Sequence, residues 1–444
     1  MTSVRPTVTT ELAARVRRGY ALGSVATGTF GTVPGLLLLP YLTDEIGIGA
    51  ALAGVLVFAP KAWDVVLNPI AGRISDRSSH PAGRRRPFLV RAGLTLAVLF
   101  AVMFAGPTEP QALAAAWVAV AFLGCASAYA FFQVPYVAMP AELTLDYAER
   151  TRLMTWRVVV LALAILVSGA TAPIVADQLG HAAMGVYVGL VIALGVLGAW
   201  WGTRGAPEHP TETAAGTFAD QLRLVAQNPD FRAVLLTFVV QAAAIGTVLA
   251  GVAYVADDLL DSAAANTFLF VAFVGPALLV TPLWERYAAT RGKRSGYAVA
   301  TVFLVVGMAA LLAAHEGWLA LTYVAAALVG IGYAGAQVFP MAMLPDVAAD
   351  DASRSGANRI GVLTGVWTAG ETLGLALGPG IFALVLTAGG YVSSTSGVTV
   401  DQPDSARLAI ALGFSVLPAL LSAISLVLLR GYRLDDRLRS ADVA

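Results

Sequence analysis

Lys61 and Asp64 stand three positions apart inside an apolar run that opens near Ala50, a spacing that puts both on one helix face. Asn68 follows Asp64 by four residues on nearly the same face, and Glu371 stands alone in the middle of another apolar run. Ionisable groups at such positions mark ion pathways and proton relays, because an apolar surrounding makes them costly to keep for packing alone. Gln133, Gln241 and Gln337 fall inside three further apolar runs, and Tyr129, Tyr136, Tyr254, Tyr333 and Trp367 are placed to line a cavity with them. The chemistry this set can do is to hold a small cation and grip a polar solute.

Other chemistries fail on inventory. His80, His181, His209 and His315 fall in loops or at the edges of apolar runs, and none is grouped with others at metal-ligand spacing. No glycine-rich loop ends in Lys followed by Ser or Thr, so no phosphate-binding loop is present. The single cysteine, Cys125, lies in an apolar run, which rules out a disulfide within the chain and points to small-residue packing. With no histidine beside a nucleophile in an apolar run, hydrolysis is not expected. No metal, cofactor or nucleic-acid partner is expected either; the partners expected are a small-molecule substrate and the lipid bilayer, with the chain expected to act as a monomer.

The elements that position these residues follow from hydropathy. A chain of 444 residues that is 58% hydrophobic and 13% charged is an integral membrane protein. Runs long enough to cross about 30 Å of hydrocarbon fall near 19–41, 50–72, 88–106, 112–139, 156–177 and 183–202. Six more fall near 232–256, 264–284, 296–314, 317–344, 359–388 and 406–430. The start of the chain lacks the short apolar core and small-residue cleavage site of a signal peptide, so the first run is read as the first span. With the N-terminus inside, all but Lys61 and Arg407 of the 28 Lys and Arg fall on the inner side, a strong positive-inside bias that places both termini in the cytoplasm of a cell-membrane protein. The opposite loops are acidic, with Asp44, Glu45, Asp257 and Asp258 among them.

The halves repeat. Gln133-Val134-Pro135 and the following Met139-Pro140 recur as Gln337-Val338-Phe339-Pro340 and Met343-Leu344-Pro345, and Asn68-Pro69 is echoed by Thr281-Pro282. The domains expected are therefore a segment 1–18, a six-helix bundle 19–202, a linker 203–231, a second bundle 232–430 and a tail 431–444. Within the linker, Phe218, Leu222 and Val225 at helical spacing predict an amphipathic helix on the inner membrane surface. Parallel repeats of six helices place a site near the midplane between them.

Gly72, Asp76, Arg77, Gly83, Arg84, Arg85 and Arg86, preceded by Trp63-Asp64 and Asn68-Pro69, form a spacing that resembles the loop between helices two and three of the major facilitator superfamily. Its lengthened insert is similar to that of the glycoside-pentoside-hexuronide cation symporters, whose best-known members carry melibiose. The resemblance covers nearly the whole chain. It implies an all-α membrane fold of twelve helices in two pseudo-symmetric bundles, alternating access, and cation-coupled symport of a sugar or glycoside.

Residue by residue the carry-over is mixed. Asp64 matches the first helix-two acid that takes part in cation binding in melibiose-type members, but their second acid is here Asn68, which favours a proton over sodium. Their helix-four acid is Gln133, its stacking aromatic is Val137, their helix-one acid is Gly28, and their helix-eleven lysine is Glu371. Loss of these sugar-gripping groups, with relatives that carry lipids, keeps open a carrier of amphipathic solutes such as a lysolipid. A non-transporting sensor on the same fold is a further alternative, opposed by retention of Asp64 and the basic loop. The basic loop is expected to act as a conformational latch, with Asp76 joining the two bundles in one state. Counting about 1.5 Å per helical residue puts Lys61, Asp64 and Glu371 at similar depth, so Glu371 is expected to face the Lys61–Asp64 pair and carry the coupling proton.

Overall fold

A computed structural model describes residues 12–144, 147–206, 228–355, 360–396, 398 and 400–435. The expected linker helix around Phe218, Leu222 and Val225 lies outside the described residues, as does His209. Among the described residues there is no strand, and twelve helices are long and apolar enough to cross a membrane. They are α1 (Ala14–Pro40), α2 (Ala50–Asp76), α3 (Arg86–Phe104), α4 (Gln111–Leu143), α5 (Tyr147–Leu179) and α6 (His181–Thr203). The second half gives α7 (Pro229–Tyr254), α8 (Ala263–Arg291), α9 (Lys293–Ala310), α10 (Leu319–Ser355), α11 (Ile360–Ala388) and α12 (Asp404–Leu429, interrupted at Ser415).

A helix satisfies its own backbone, which is why an apolar chain in lipid takes this form. Capping follows local chemistry: Asn228 accepts the N–H of Phe231 at the start of α7, with Pro229 in the first turn where its missing N–H costs nothing.

The repeat seen in the sequence is a repeat in packing. α1 packs on α5 and α6, α3 on α4 and α6, and α2 on α4; α7 packs on α11 and α12, α9 on α10 and α12, and α8 on α10. Each contact of the first bundle recurs six helices on. Small residues set the closest crossings: a Cβ on Gly378 of α11 would lie 2.2 Å from the backbone of Gly246 on α7, so both positions need glycine for the helices to meet. The carboxyl-side ends of α1 and α7 both loosen into one π-helical turn, Tyr41–Glu45 and Val255–Leu259, which carry the acidic residues Asp44, Asp257 and Asp258.

The bundles meet mainly through α2 with α11, α5 with α8, and α1 with α7. One end of the molecule is acidic and the other basic, and the seam is sealed at the acidic end. Gly54 of α2 sits against Ala383 of α11, and Gly169 of α5 against Phe270 of α8. Beyond them the segment after α11 lies along the π turn of α1: the N–H groups of Ser394 and Ser396 donate to the carbonyls of Thr43 and Glu45 at 2.9 and 3.0 Å. Tyr391 Oη donates to Asp44 at 2.7 Å, and the hydroxyls of Thr43 and Tyr254 share a bond of 2.7 Å. Tyr391 lies past the end of α11, and burial beside Asp44 and Asp258 pushes its phenol far above the usual range, so it stays a donor at any ordinary pH.

Candidate site between the bundles

Lys61 and Asp64 lie on α2 between two prolines, Pro60 and Pro69, each of which withholds an N–H from the helix ladder and leaves a carbonyl one turn back without its usual donor. Asp64 is 2% exposed, and its Oδ1 accepts no hydrogen bond. Lys61 is the charged group that acts on it, while the ammonium itself lies 4.8 Å above the Phe30 ring of α1. The pair therefore interacts through space, with the lysine held by an aromatic face and the carboxylate left with an open oxygen. Asn68, one turn on, is half-buried. Tyr129 of α4 packs against Phe30 with the rings tilted by 41° and their centres 4.6 Å apart.

Arg157 of α5 completes the set, and nothing in the residue types singles it out. With a span that begins at 156 it falls among the inner-side charges. α5 starts at Tyr147, so Arg157 lies ten residues, about 15 Å, along the helix. Its guanidinium sits over the Tyr136 ring at 5.8 Å and is the charged group that acts on Glu371 of α11. The charge that acts on the acid of the second bundle is thus an arginine of the first, a partner not among those expected for it. The centre thus holds two cations and two anions rather than one and two. Tyr129 joins them, since Asp64, Arg157 and Glu371 all act on its hydroxyl. The one signal of Arg157 in the sequence is a basic residue followed at once by a long apolar run, on a helix that begins earlier than hydropathy suggests.

The remaining candidates divide. Tyr333 of α10 lies near Glu371 and packs on Phe273 with centres 5.1 Å apart, on the second bundle's side of the centre. Gln133 and Gln337 are half-buried on α4 and α10, and Gln133 Oε1 has no hydrogen-bond partner. Tyr136 is tied inside the first bundle, donating to the Tyr20 carbonyl at 2.7 Å and sharing a bond with Ser24, while offering its ring to Arg157. Trp367 is 1% exposed and stacked on Phe238 at 4.5 Å, within the second bundle.

Two expected solute contacts are placed elsewhere. The Gln241 amide donates to Thr301 and Ser425 and accepts from Tyr297, all at 2.9 Å, so it holds α7, α9 and α12 together and has no N–H left for a solute. Tyr254 belongs to the acidic-end seal.

The basic loop clamps one bundle. Arg85 bridges Asp76 at 2.6 Å and Glu142 at 2.8 Å and donates to Ser75, which joins the ends of α2, α3 and α4. Arg84 lies near the same two acids and donates to the Asp76 carbonyl, and Arg86 donates to the Ala206 carbonyl past α6. Asp76 thus pairs inside the first bundle rather than across to the second. A Cβ on Gly72 would meet Val134 of α4 at an ordinary 3.5 Å, Gly83 takes a positive φ of 109° that glycine allows, and Arg77 is exposed. The second bundle repeats the device with Lys293 on Asp346 at 2.5 Å.

Comparison with known proteins gives a match to the family model for MFS/sugar transport proteins over residues 19–436. A putative glycoside/cation symporter of Escherichia coli is 26% identical over 96% of this chain and 93% of its own. The sodium-dependent lysophosphatidylcholine symporter 1 of Mus musculus is 23% identical over 95% of this chain and 85% of its own. Among solved structures, the nucleoside transporter NupG superposes with a TM-score of 0.67 at 11% identity, covering 94% of this chain and 99% of that one, a likeness of fold alone.

Proposed function

This chain belongs to the MFS/sugar transport protein family, and we propose that it is a proton-coupled symporter that carries a sugar or glycoside by alternating access. It is a membrane transporter and not an enzyme. The observation that carries the proposal is the balanced set of charges across the seam: Lys61, Asp64 and Arg157 on the first bundle, Glu371 on the second, with Tyr129 among them. A putative glycoside/cation symporter among the relatives supports the substrate class.

In the proposed cycle, Asp64 takes the proton. Its open oxygen has room for a proton in a buried, apolar surrounding, and the ammonium that acts on it from the Phe30 face makes the spot a poor one for a sodium ion. Glu371 and Arg157 attract each other across the seam, and a polar solute with several hydroxyls bridges them by accepting from the guanidinium and donating to the carboxylate. Proton and solute together remove the penalty of closing these charges away from water, so the loaded carrier changes state and the half-loaded one does not. With the basic end in the cytoplasm, as the positive-inside bias directs, a seam sealed at the acidic end leaves the centre reached from the cytoplasm.

A second reading, an amphipathic solute, draws support from the lysophosphatidylcholine symporter among the relatives. The test is uptake into vesicles holding the purified protein, with an imposed pH gradient or an imposed sodium gradient, against a panel of glycosides and lysophosphatidylcholine. Concentrative uptake of a glycoside driven by the pH gradient is the result expected. Uptake of lysophosphatidylcholine alone overturns the sugar reading, and accumulation driven only by sodium overturns the proton.

A further inference from the structure

A second recess lies on the outside of the first bundle, away from the charged centre. α2 and α3 each pack on α4 and scarcely on each other, which leaves a cleft of about 440 Å³ between the basic loop, α3 and α4. That volume is in the range of sites that take small organic ligands. Its floor is formed by Gly124, Ser127, Ala128 and Phe131 of α4, apolar apart from the Ser127 hydroxyl, which is already committed to the Leu123 carbonyl, and its α3 wall carries Arg91 and Thr95. His80 stands at the mouth.

Arg91 is the feature that needs an occupant. It is exposed and lies five residues, about 7–8 Å, inside the start of α3, on the face where Thr95 and Val98 are also exposed. Among the described residues it has no ion-pair or hydrogen-bond partner. A guanidinium on the lipid-facing side of a spanning helix is costly unless an anion meets it there. His80 adds a donor: its Nδ1 accepts the N–H of Ala82 at 3.1 Å, so the neutral ring carries its proton on Nε2 and can present it to the cleft. Cation and donor at the mouth, with an apolar trough leading toward the membrane interior, match an anionic head and a hydrocarbon tail. Basic pockets between spanning helices take phospholipid headgroups by this pairing.

We propose that the cleft seats one anionic glycerophospholipid of the leaflet at the basic end. Its phosphate lies between Arg91 and His80, and one acyl chain follows Gly124, Ala128 and Phe131. The site is separate from the solute site and does not depend on what the transporter carries. By filling the space between the basic loop, α3 and α4 beside the Arg85 clamp, the lipid braces the first bundle where its own helices leave space.

The experiment is native mass spectrometry of the full-length detergent-purified protein, titrated separately with dioleoyl phosphatidylglycerol, dioleoyl phosphatidylcholine and inorganic phosphate. One saturable phosphatidylglycerol site is expected, with phosphatidylcholine binding more weakly and phosphate alone not at all in the same range. Arg91→Gln, which removes the headgroup contact, and Thr95→Trp, which fills the trough, should each weaken phosphatidylglycerol binding tenfold or more. Arg286→Gln, an exposed arginine at the basic end of α8, should not. An unchanged lipid-free melting temperature shows that each variant is folded, since all three side chains are exposed. The proposal is overturned if Arg91→Gln binds phosphatidylglycerol as the parent does, if phosphatidylcholine binds equally, or if Arg286→Gln loses as much. Binding of phosphate alone as tightly as the lipid overturns the lipid assignment.

Discussion

At the seam α2 of the first bundle carries Lys61 and Asp64, whereas the matching positions of α8, 213 residues on, are the buried apolar residues Val274 and Ala277. The same contrast holds along α4 and α10, where Gln133 and Gln337 are repeated but the Tyr129 hydroxyl senses charges from both bundles. The helix contacts are repeated almost without exception, and the basic-end clamps are repeated in kind; the ionisable groups are not. What the repeat keeps is the helix packing and the clamps. What differs is the chemistry between the bundles, which is concentrated on the first bundle with a single acid opposite.

The sharpest test of that asymmetry removes one proposed functional acid from each side. Asp64→Asn should abolish pH-driven accumulation, a loss of a hundredfold or more in the steady-state gradient, while exchange of labelled for unlabelled solute across the vesicle survives. Glu371→Gln should impair solute binding as well as accumulation if, as proposed, the acid meets Arg157 and the solute while Asp64 takes the proton. If Asp64→Asn still accumulates solute and Glu371→Gln alone abolishes the gradient, the coupling site belongs to the second bundle and the comparison is reversed.

A double-mutant cycle follows for the cross-seam pair. Arg157→Gln removes the cation that acts on half-buried Glu371, so the single variant should lose stability or solute affinity. Adding Glu371→Gln should recover part of the lost stability or binding, with a coupling of at least about 1 kcal/mol. Strict additivity in solute affinity and melting temperature would place the two residues in separate environments.

The clamps should differ in size despite their common position. Arg85 is buried and bridges two acids, so Arg85→Ala leaves Glu142 buried with its nearest partner gone. Lys293 and Asp346 both keep contact with water, and such a pair contributes roughly 1 kcal/mol or less. Thermal unfolding in detergent should therefore show a clearly larger drop for Arg85→Ala than for Lys293→Ala. Equal drops would mean that the two ends are braced alike.

The twelve spans, the repeat and the intramembrane charges of α2 and α11 can be read from the chain, because each is written in hydropathy, periodicity or the rarity of charge in an apolar run. Arg157 is hidden by the same rule that orients the chain: a basic residue near a span edge is normally an anchor, and only the true start of α5 shows that it is ten residues in. The partners of Gln241 are illegible for another reason. A glutamine in an apolar helix reads the same whether its amide meets a solute or Thr301, Ser425 and Tyr297, which lie 60, 184 and 56 residues away. The acidic-end seal is invisible because much of it is made by backbone groups of Ser394 and Ser396, and backbone donors leave no trace in residue type.

That seal supplies the smallest effect and a check on the direction of opening. Tyr391 Oη to Asp44 and Thr43 to Tyr254 are single hydrogen bonds across the seam, in a region where backbone bonds and glycine packing also hold the bundles together. Tyr391→Phe removes a bond to an acidic group, worth about 1.5–3 kcal/mol in other settings, and here only the part present when the acidic end is closed biases the two states. Tyr254→Phe removes a neutral bond, for which about 1 kcal/mol is the usual scale. Both should raise the fraction open at the acidic end, Tyr391→Phe more than Tyr254→Phe. A cysteine placed at Gly31, an exposed position on α1 where a Cβ would meet nothing within 4 Å, reports this in a Cys125→Ala background through labelling by an impermeant thiol reagent added from the acidic side. Labelling should rise severalfold for Tyr391→Phe and about twofold for Tyr254→Phe. If neither changes it, the Ser394 and Ser396 backbone bonds hold the seal and the two tyrosines only pack against it.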